Sequence, residues 1–180
     1  MNFLVIGLGS MGKRRVRNLI ALGCKHIAGF DIRKDRRSHV NDKYNIPIFD
    51  DFDLAIRKFN PDAFIISTPP DLHMKYAYYA FDKGIHCFIE GSVVDADKIL
   101  ELSKKLENTD IVIVPSCTMR FYSGPMKIKE LVNNGVIGKP LNYNYQTGQY
   151  LPDWHPWEGI EEFYVSKTET GGCREIVPFE

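Results

Sequence analysis

The sequence lacks two features that would point to a membrane or a nucleic acid. No apolar run approaches the roughly 20 residues that a membrane-spanning helix requires. Its 23 lysines and arginines are balanced by 23 aspartates and glutamates, so the chain carries no excess charge of either sign. Excess positive charge is the usual mark of proteins that bind nucleic acid or anionic lipid surfaces. We therefore expect neither a membrane nor a nucleic acid as a partner.

Signals for export and for metal binding are also missing. The N-terminus has no basic region followed by a long apolar segment and a cleavage site, which predicts a cytoplasmic protein. The four cysteines are scattered without a C-x-x-C pair, which predicts reduced thiols and no zinc site. The 180 residues allow one core of good size, or one domain with part of a second.

What the sequence does contain is a glycine-rich turn after its first apolar segment. Residues 3–6 form a short, uncharged, β-rich run that predicts a buried strand. Gly7, Gly9 and Gly12 follow at G-x-G-x-x-G spacing, and a helix is predicted from Lys13. In a dinucleotide site these glycines permit the tight turn, the approach of a pyrophosphate and close helix–strand packing. The predicted cofactor contacts are Gly7, Leu8, Gly9, Ser10, Met11 and Gly12.

A second apolar segment ends in an acid. Asp31 lies 19 residues after Gly12, where a ribose hydroxyl would need an acceptor. An acid at this place repels a 2′-phosphate and favours NAD, whereas the nearby Arg33 could accommodate that phosphate. We predict NAD as the cofactor, with NADP as the open alternative. An ordinary βα turn without a ligand is the other interpretation.

Strand-like and helical segments then alternate with short connections as far as about residue 118. This alternation predicts an α/β fold of the Rossmann type, a doubly wound parallel sheet with helices on both faces. Ligands of such sheets bind beyond the carboxyl ends of the strands. The strand ends here place Ser67, Thr68, Pro69 and Glu90 among the candidate cofactor residues.

A change in composition near residue 115 predicts a domain boundary, with residues 1–118 forming the dinucleotide-binding domain. Residues 119–180 are predicted to be the start of an α/β substrate domain. Its predicted elements are a helix over 123–134, a strand over 141–147 and an aromatic loop over 150–159.

Taken together, these motifs resemble those of the Gfo/Idh/MocA oxidoreductases, which pair a dinucleotide-binding domain with an α/β substrate domain. The resemblance runs through essentially the whole chain and includes Asp31, a Thr-Pro-Pro-Asp-Leu-His run from Thr68 to His73, and Glu90. It implies a nicotinamide cofactor and a sugar-like or polyol substrate. It also implies that Thr68 and Pro69 lie against the nicotinamide ribose and ring. For His73 it leaves two roles open, one in the cofactor site and one in surface or core packing.

The chain departs from the family at the residues that carry chemistry. The family has Glu-Lys-Pro where this chain has Glu90, Gly91 and Ser92, and Gly91 cannot transfer a proton. The family's histidine beyond its Gly-Gly turn is also absent. The candidates for a catalytic or substrate-orienting role are Arg120, His155 and Glu175, with packing or a salt bridge as their alternatives.

Length is the second departure, because the chain stops where the family's substrate domain has only begun. We therefore expect a fragment or truncated product, in which a homo-oligomer remains possible. The leading functional hypothesis is a nicotinamide-dependent oxidoreductase, or its cofactor-binding portion. The competing hypothesis is a dinucleotide-binding module without turnover.

Overall fold

The chain folds as two compact units, Met1–Ser116 and Cys117–Glu180. The computed structural model describes residues 1–91, 94–148, 150–154, 156, 158–168 and 170–171. In these ranges no helix is long and apolar enough to cross a membrane.

The first unit is built on a six-stranded sheet in which every neighbouring pair of strands is parallel. The spatial order of the strands is β3-β2-β1-β4-β5-β6. The chain therefore starts in the middle of the sheet and returns there after β3, which places the turn after β1 between β2 and β4. The strands are β1 (Phe3–Ile6), β2 (Ile27–Phe30), β3 (Ile48–Phe49), β4 (Ala63–Ile66), β5 (His86–Ile89) and β6 (Ile113–Pro115).

Two hydrophobic clusters form the core of this unit, because successive side chains of a strand point to opposite faces of the sheet. Leu4 and Ile6 of β1 belong to one cluster, and Val5 belongs to the other. The first unit has the predicted doubly wound fold. Its helices are α1 (Ser10–Ala21), α2 (Lys34–Tyr44), α3 (Phe52–Phe59), α4 (His73–Asp82) and α5 (Ala96–Leu106).

One boundary in this unit differs from the prediction in a way that matters for the site. Helix α1 begins at Ser10 and not at Lys13, so Gly12 lies inside its first turn and is buried. Glycine is a weak helix former, which is why the sequence pattern placed the start later. The earlier start brings the first N–H groups of the helix next to β1.

The second unit contains α6 (Ser123–Asn133), as predicted, and a short helix α7 (Leu151–Trp154). The predicted strand over residues 141–147 is wrong: residues 141–148 have no regular secondary structure and all of them are exposed. Alternating side chains can mark one face of a strand, but the backbone also needs a neighbouring strand for its hydrogen bonds. No such neighbour exists among the described residues. Trp154 of the aromatic loop packs edge-on against the buried ring of Phe163.

Candidate dinucleotide site

The glycine turn after β1 is held tightly against the end of β4. Gly7 has φ +88°, and a Cβ there would lie 2.7 Å from the carbonyl oxygen of Ser67. A Cβ on Gly12 would overlap the carbonyl oxygen of Gly7. The fold itself therefore requires glycine at both positions.

Gly9 is different, because nothing in the fold excludes a side chain there. Its φ is −67°, and the nearest atom to a Cβ would be Arg36 Nη1 at 3.5 Å. That is an ordinary van der Waals contact with the end of a flexible side chain. The absence of a side chain at Gly9 leaves its backbone open to a ligand.

Helix α1 starts on this surface without a side-chain cap. Gly9 is its N-cap residue and offers no side-chain hydrogen bond. The N–H groups of Ser10, Met11 and Gly12 have no intrahelical acceptor, as in the first turn of any α-helix. Together with the positive end of the helix dipole, these donors suit an anion such as a diphosphate.

Asp31 lies beside the turn, at the carboxyl end of β2, and only 4% of it is exposed. Its Oδ2 accepts a hydrogen bond from the Leu8 N–H at 2.7 Å, and its Oδ1 accepts one from the Arg33 N–H at 2.8 Å. The guanidinium of Arg36 lies 3.7 Å from Oδ2. A carboxylate has about four acceptor positions, so Asp31 can still accept hydrogen bonds from ribose hydroxyls.

Two hydroxyl groups at the end of β4 are buried without a hydrogen-bond partner in the described part of the chain. They belong to Ser67 and Thr68. Leaving a buried hydroxyl unsatisfied costs about 1–3 kcal/mol. The backbone of Ser67 and Thr68 lies against Gly7, so the two hydroxyls belong to the residues that border the glycine turn.

His73 is buried, with 1% of it exposed, at the start of α4. Its Nε2 lies 2.8 Å from the carbonyl oxygen of Thr68. A carbonyl can only accept, so Nε2 carries the proton and donates. His73 thus fixes the loop that carries Thr68 and Pro69, while Pro69 itself is exposed. The geometry gives His73 a positioning contact with this loop.

Glu90, at the end of β5, is buried and forms a bidentate ion pair with Arg15 of α1. Arg15 Nη2 donates to Oε2 at 2.9 Å, and Nε donates to Oε1. Only 6% of the Glu90 side chain and 19% of the Arg15 side chain are exposed. The hydrogen bonds from Arg15 to Glu90 raise the pKa of the guanidinium further. The pair ties α1 to the end of β5, which lies two strands away from β1 in the sheet. No local pattern in the sequence predicts this contact.

The remaining candidates add no side chain to this arrangement in the part of the chain that the structure describes. Gly91 is half-buried just after Glu90 and offers no side chain. Arg33 turns its guanidinium onto Asp35, with contacts of 3.1 and 2.8 Å. Arg120 is exposed in a 3₁₀ turn of the second unit. His155 and Glu175 lie outside the described residues. Among the residues that the structure describes, no three His, Cys, Asp or Glu side chains are arranged to hold a metal ion.

The glycine cradle, the uncapped helix, the carboxylate and the unpartnered hydroxyls all fit a dinucleotide. Residues 1–114 match the sequence profile of the family described as "Oxidoreductase family, NAD-binding Rossmann fold". This match confirms the predicted fold and cofactor class.

Curated relatives and solved structures agree with this match. Myo-inositol 2-dehydrogenase of Thermotoga maritima is 28% identical over 146 residues, which are 78% of this chain and 43% of the relative. Scyllo-inositol 2-dehydrogenase (NAD(+)) of Bacillus subtilis is 26% identical over 144 residues, 77% of this chain and 42% of the relative. The chain spans less than half the length of either protein.

A solved structure of scyllo-inositol dehydrogenase from Lactobacillus casei, with bound NAD(H) and scyllo-inositol, superposes with a TM-score of 0.68. The two chains are 23% identical, and the match covers 77% of this chain and 42% of the other. Myo-inositol 2-dehydrogenase from Lactobacillus plantarum gives a TM-score of 0.70 at 24% identity, with the same coverage. At these identities the likeness concerns the fold. Because the family profile covers well over half of the sequence, the chain belongs to the Gfo/Idh/MocA family of oxidoreductases, and residues 1–114 are its NAD-binding Rossmann fold.

Proposed function

We propose that this chain binds NAD(H) as the cofactor-binding portion of an oxidoreductase that acts on a sugar-like or polyol substrate. The substrate class is taken from the inositol dehydrogenases that it resembles. The observation that carries the proposal is the pair of buried hydroxyls on Ser67 and Thr68, which find no partner in the described residues. A buried hydroxyl without a partner needs an explanation, and a ligand bound at the adjoining glycine turn is the one we propose here.

Each part of the site then has a role. The first N–H groups of α1 hold the diphosphate, and the open backbone at Gly9 lets it approach. Asp31, fixed by the Leu8 and Arg33 N–H groups, accepts hydrogen bonds from the adenosine ribose. Thr68 and Ser67 serve the nicotinamide half, and His73 holds their loop in place. Glu90 acts indirectly, because its pair with Arg15 fixes the orientation of α1.

When bound, the nicotinamide supplies the hydride acceptor or donor. The protein must then move one proton at the substrate hydroxyl or carbonyl. Gly91 cannot do this, and the proposed candidates are His155 and Glu175, with Arg120 as a cation that orients the substrate. A homo-oligomer and a cytoplasmic location remain predictions.

The second candidate function, a dinucleotide-binding module without turnover, is favoured by Gly91. Both candidates require cofactor binding, and only the first requires reduction of NAD⁺. Absorbance at 340 nm with NAD⁺ and a panel of inositols and sugars separates them. NADH formation supports the oxidoreductase, and binding without NADH formation supports the module.

Binding itself is tested by substituting Thr68→Val. Removing a hydroxyl that is buried and unsatisfied should raise the free energy of unfolding of the ligand-free protein by about 1 kcal/mol. The same change should weaken NADH binding about tenfold, because one hydrogen bond to the cofactor is lost. Urea denaturation and calorimetric titration measure the two effects. A gain in the free energy of unfolding together with a loss of NADH affinity is the result expected for a side chain that serves ligand binding.

Thr109→Val is the matched control. Its hydroxyl already donates to the Leu106 carbonyl at 3.1 Å on an exposed helix end. We expect a small loss of stability and unchanged NADH affinity. Unchanged affinity in Thr68→Val, or no NADH binding by the wild-type chain, would contradict the proposal.

A further inference from the structure

Residues 141–147 form an exposed and uncharged segment of the second unit. Every residue from 141 to 148 is exposed, and no strand of the described residues pairs with the segment. No charged side chain occurs between Lys139 and Asp153. Proteins protect an open strand edge with charged side chains or prolines, which keep other chains from pairing with it. Residues 141–147 contain neither, so the segment is open to a strand from another molecule.

The backbone at the centre of this segment is extended. The rings of Tyr143 and Tyr145 lie at 1° to each other, with their centroids 6.4 Å apart. Two residues of an extended strand span about 6.8 Å, and their side chains point to the same face. The two tyrosines therefore lie side by side as they would in a strand, with 76% and 45% of their surface exposed.

The residue types in this segment repeat in both directions from Asn144. A tyrosine lies on each side of it, followed on each side by an amide, Asn142 or Gln146. If two copies pair antiparallel about Asn144, Tyr143 lies opposite the partner's Tyr145, and Asn142 lies opposite the partner's Gln146. Aromatic pairs across two strands are favourable, and amide side chains can form ladders. The segment is therefore complementary to itself.

We infer that residues 141–147 are a self-association strand, which pairs antiparallel with the same residues of a second copy about a two-fold axis at Asn144. Such an interface uses the same surface on both copies, so it closes as a dimer. The absence of charge favours a second copy as the occupant, because self-pairing then brings no like charges together. A ribbon of two strands is only marginally stable in water, so we expect a weak dimer. The inference concerns the second unit and does not depend on cofactor binding.

Sedimentation equilibrium of the full chain at 0.15 M salt, over a wide range of protein concentrations, tests the association. We expect a reversible monomer–dimer equilibrium. Asn144→Lys places two ammonium groups opposite each other on the axis, which should raise the dimer dissociation constant about tenfold.

Asn142→Lys is the matched control, because it adds the same charge to the same face of the segment. In the proposed pairing the two copies of residue 142 lie four residues apart along the ribbon, about 14 Å. That separation exceeds the screening length of about 8 Å at this salt concentration. The dissociation constant should therefore change by less than about threefold. A chain that stays monomeric at every concentration, or an equal loss of association in both variants, would overturn the inference.

Cysteine cross-linking tests the position of the axis, in a Cys117→Ala background because Cys117 is exposed. In Asn144→Cys the two Cα atoms should lie about 4.5–5.5 Å apart, within the range that a disulfide bridges. Mild oxidation should therefore give a covalent dimer. In Leu141→Cys the two thiols should lie about 20 Å apart, so this variant should link only when it is mixed with Thr147→Cys. Equal cross-linking of Asn144→Cys and of Leu141→Cys alone would contradict the proposed pairing.

Discussion

The two units of the chain bury their apolar residues to very different extents. In Met1–Ser116 the central strands β1, β2 and β4 are almost completely buried, and their side chains fill a core on each face of the sheet. In Cys117–Glu180 the helix α6 has no buried residue. The buried residues described in that unit are Phe163, Val165, Thr170 and Gly171.

The difference shows what an apolar pattern needs in order to become structure. Each strand of the first unit has a paired neighbour, so its backbone groups are satisfied and its side chains find a facing layer. In the second unit many large apolar side chains are exposed, among them Phe121, Ile128, Ile137, Leu141 and Tyr143. Packing, more than local propensity, decides which pattern is realised.

The largest expected effect is on stability, and it is seen by comparing a glycine-to-alanine substitution in the first unit with one in the second. In Gly12→Ala the new Cβ would overlap the Gly7 carbonyl oxygen, and neither backbone can yield without moving α1 off the sheet. We expect a loss of more than about 3 kcal/mol in the free energy of unfolding, at the upper end of overpacking effects.

Gly124→Ala in α6 is the counterpart, because a Cβ there meets no atom within 4 Å. Alanine is the better helix former, so stability should be unchanged or slightly higher. Urea denaturation followed by far-UV circular dichroism compares the two. A Gly12→Ala protein as stable as wild type would break the distinction between a packed and an open unit.

Much of the first unit could be read from the sequence because its signals are local. Each strand is a short apolar run, and the glycine spacing and Asp31 identify the turn and the acid without knowledge of any distant contact. The partner of Glu90 could not be read, because Arg15 lies 75 positions away. The different partners of the two guanidinium groups could not be predicted either, because they depend on where α2 begins: Arg33 is its extended N-cap residue, and Arg36 lies in its first turn. The strand predicted over residues 141–147 was wrong because the alternation of side chains is a local signal, whereas a strand also needs a neighbouring strand to pair with.

The next effect concerns two arginine–carboxylate pairs of similar geometry and different burial. In Arg15→Met, Glu90 keeps its place in the interior and loses its counter-charge, which should cost about 3 kcal/mol of stability. Arg33 and Asp35 form the same bidentate contact, but 56% and 64% of their side chains are exposed. Arg33→Met should therefore leave the stability almost unchanged, because water screens an exposed pair.

The double variant Arg15→Met with Glu90→Gln distinguishes lost charge compensation from lost packing. Removing both charges should recover part of the stability, because no uncompensated charge then remains buried. If Arg15→Met and Arg33→Met lowered the urea midpoint equally, burial would not be the property that separates the two pairs.

The smallest expected effect is chemical and uses one cysteine from each unit. Cys87 is buried in β5, and burial raises the pKa of its thiol from about 9 to about 12. At pH 8 it has almost no thiolate and no access to solvent, whereas Cys117 is exposed. The thiolate is the reacting species. With Ellman's reagent, the number of fast-reacting thiols should therefore fall by one in Cys117→Ala and stay unchanged in Cys87→Ala.

The folded state keeps a proton on Cys87 that the unfolded state releases above pH 9, so this residue lowers stability as the pH rises from 9 towards 12. A fast-reacting Cys87 at pH 8 would mean that β5 opens readily, which would remove the contrast in packing between the two units.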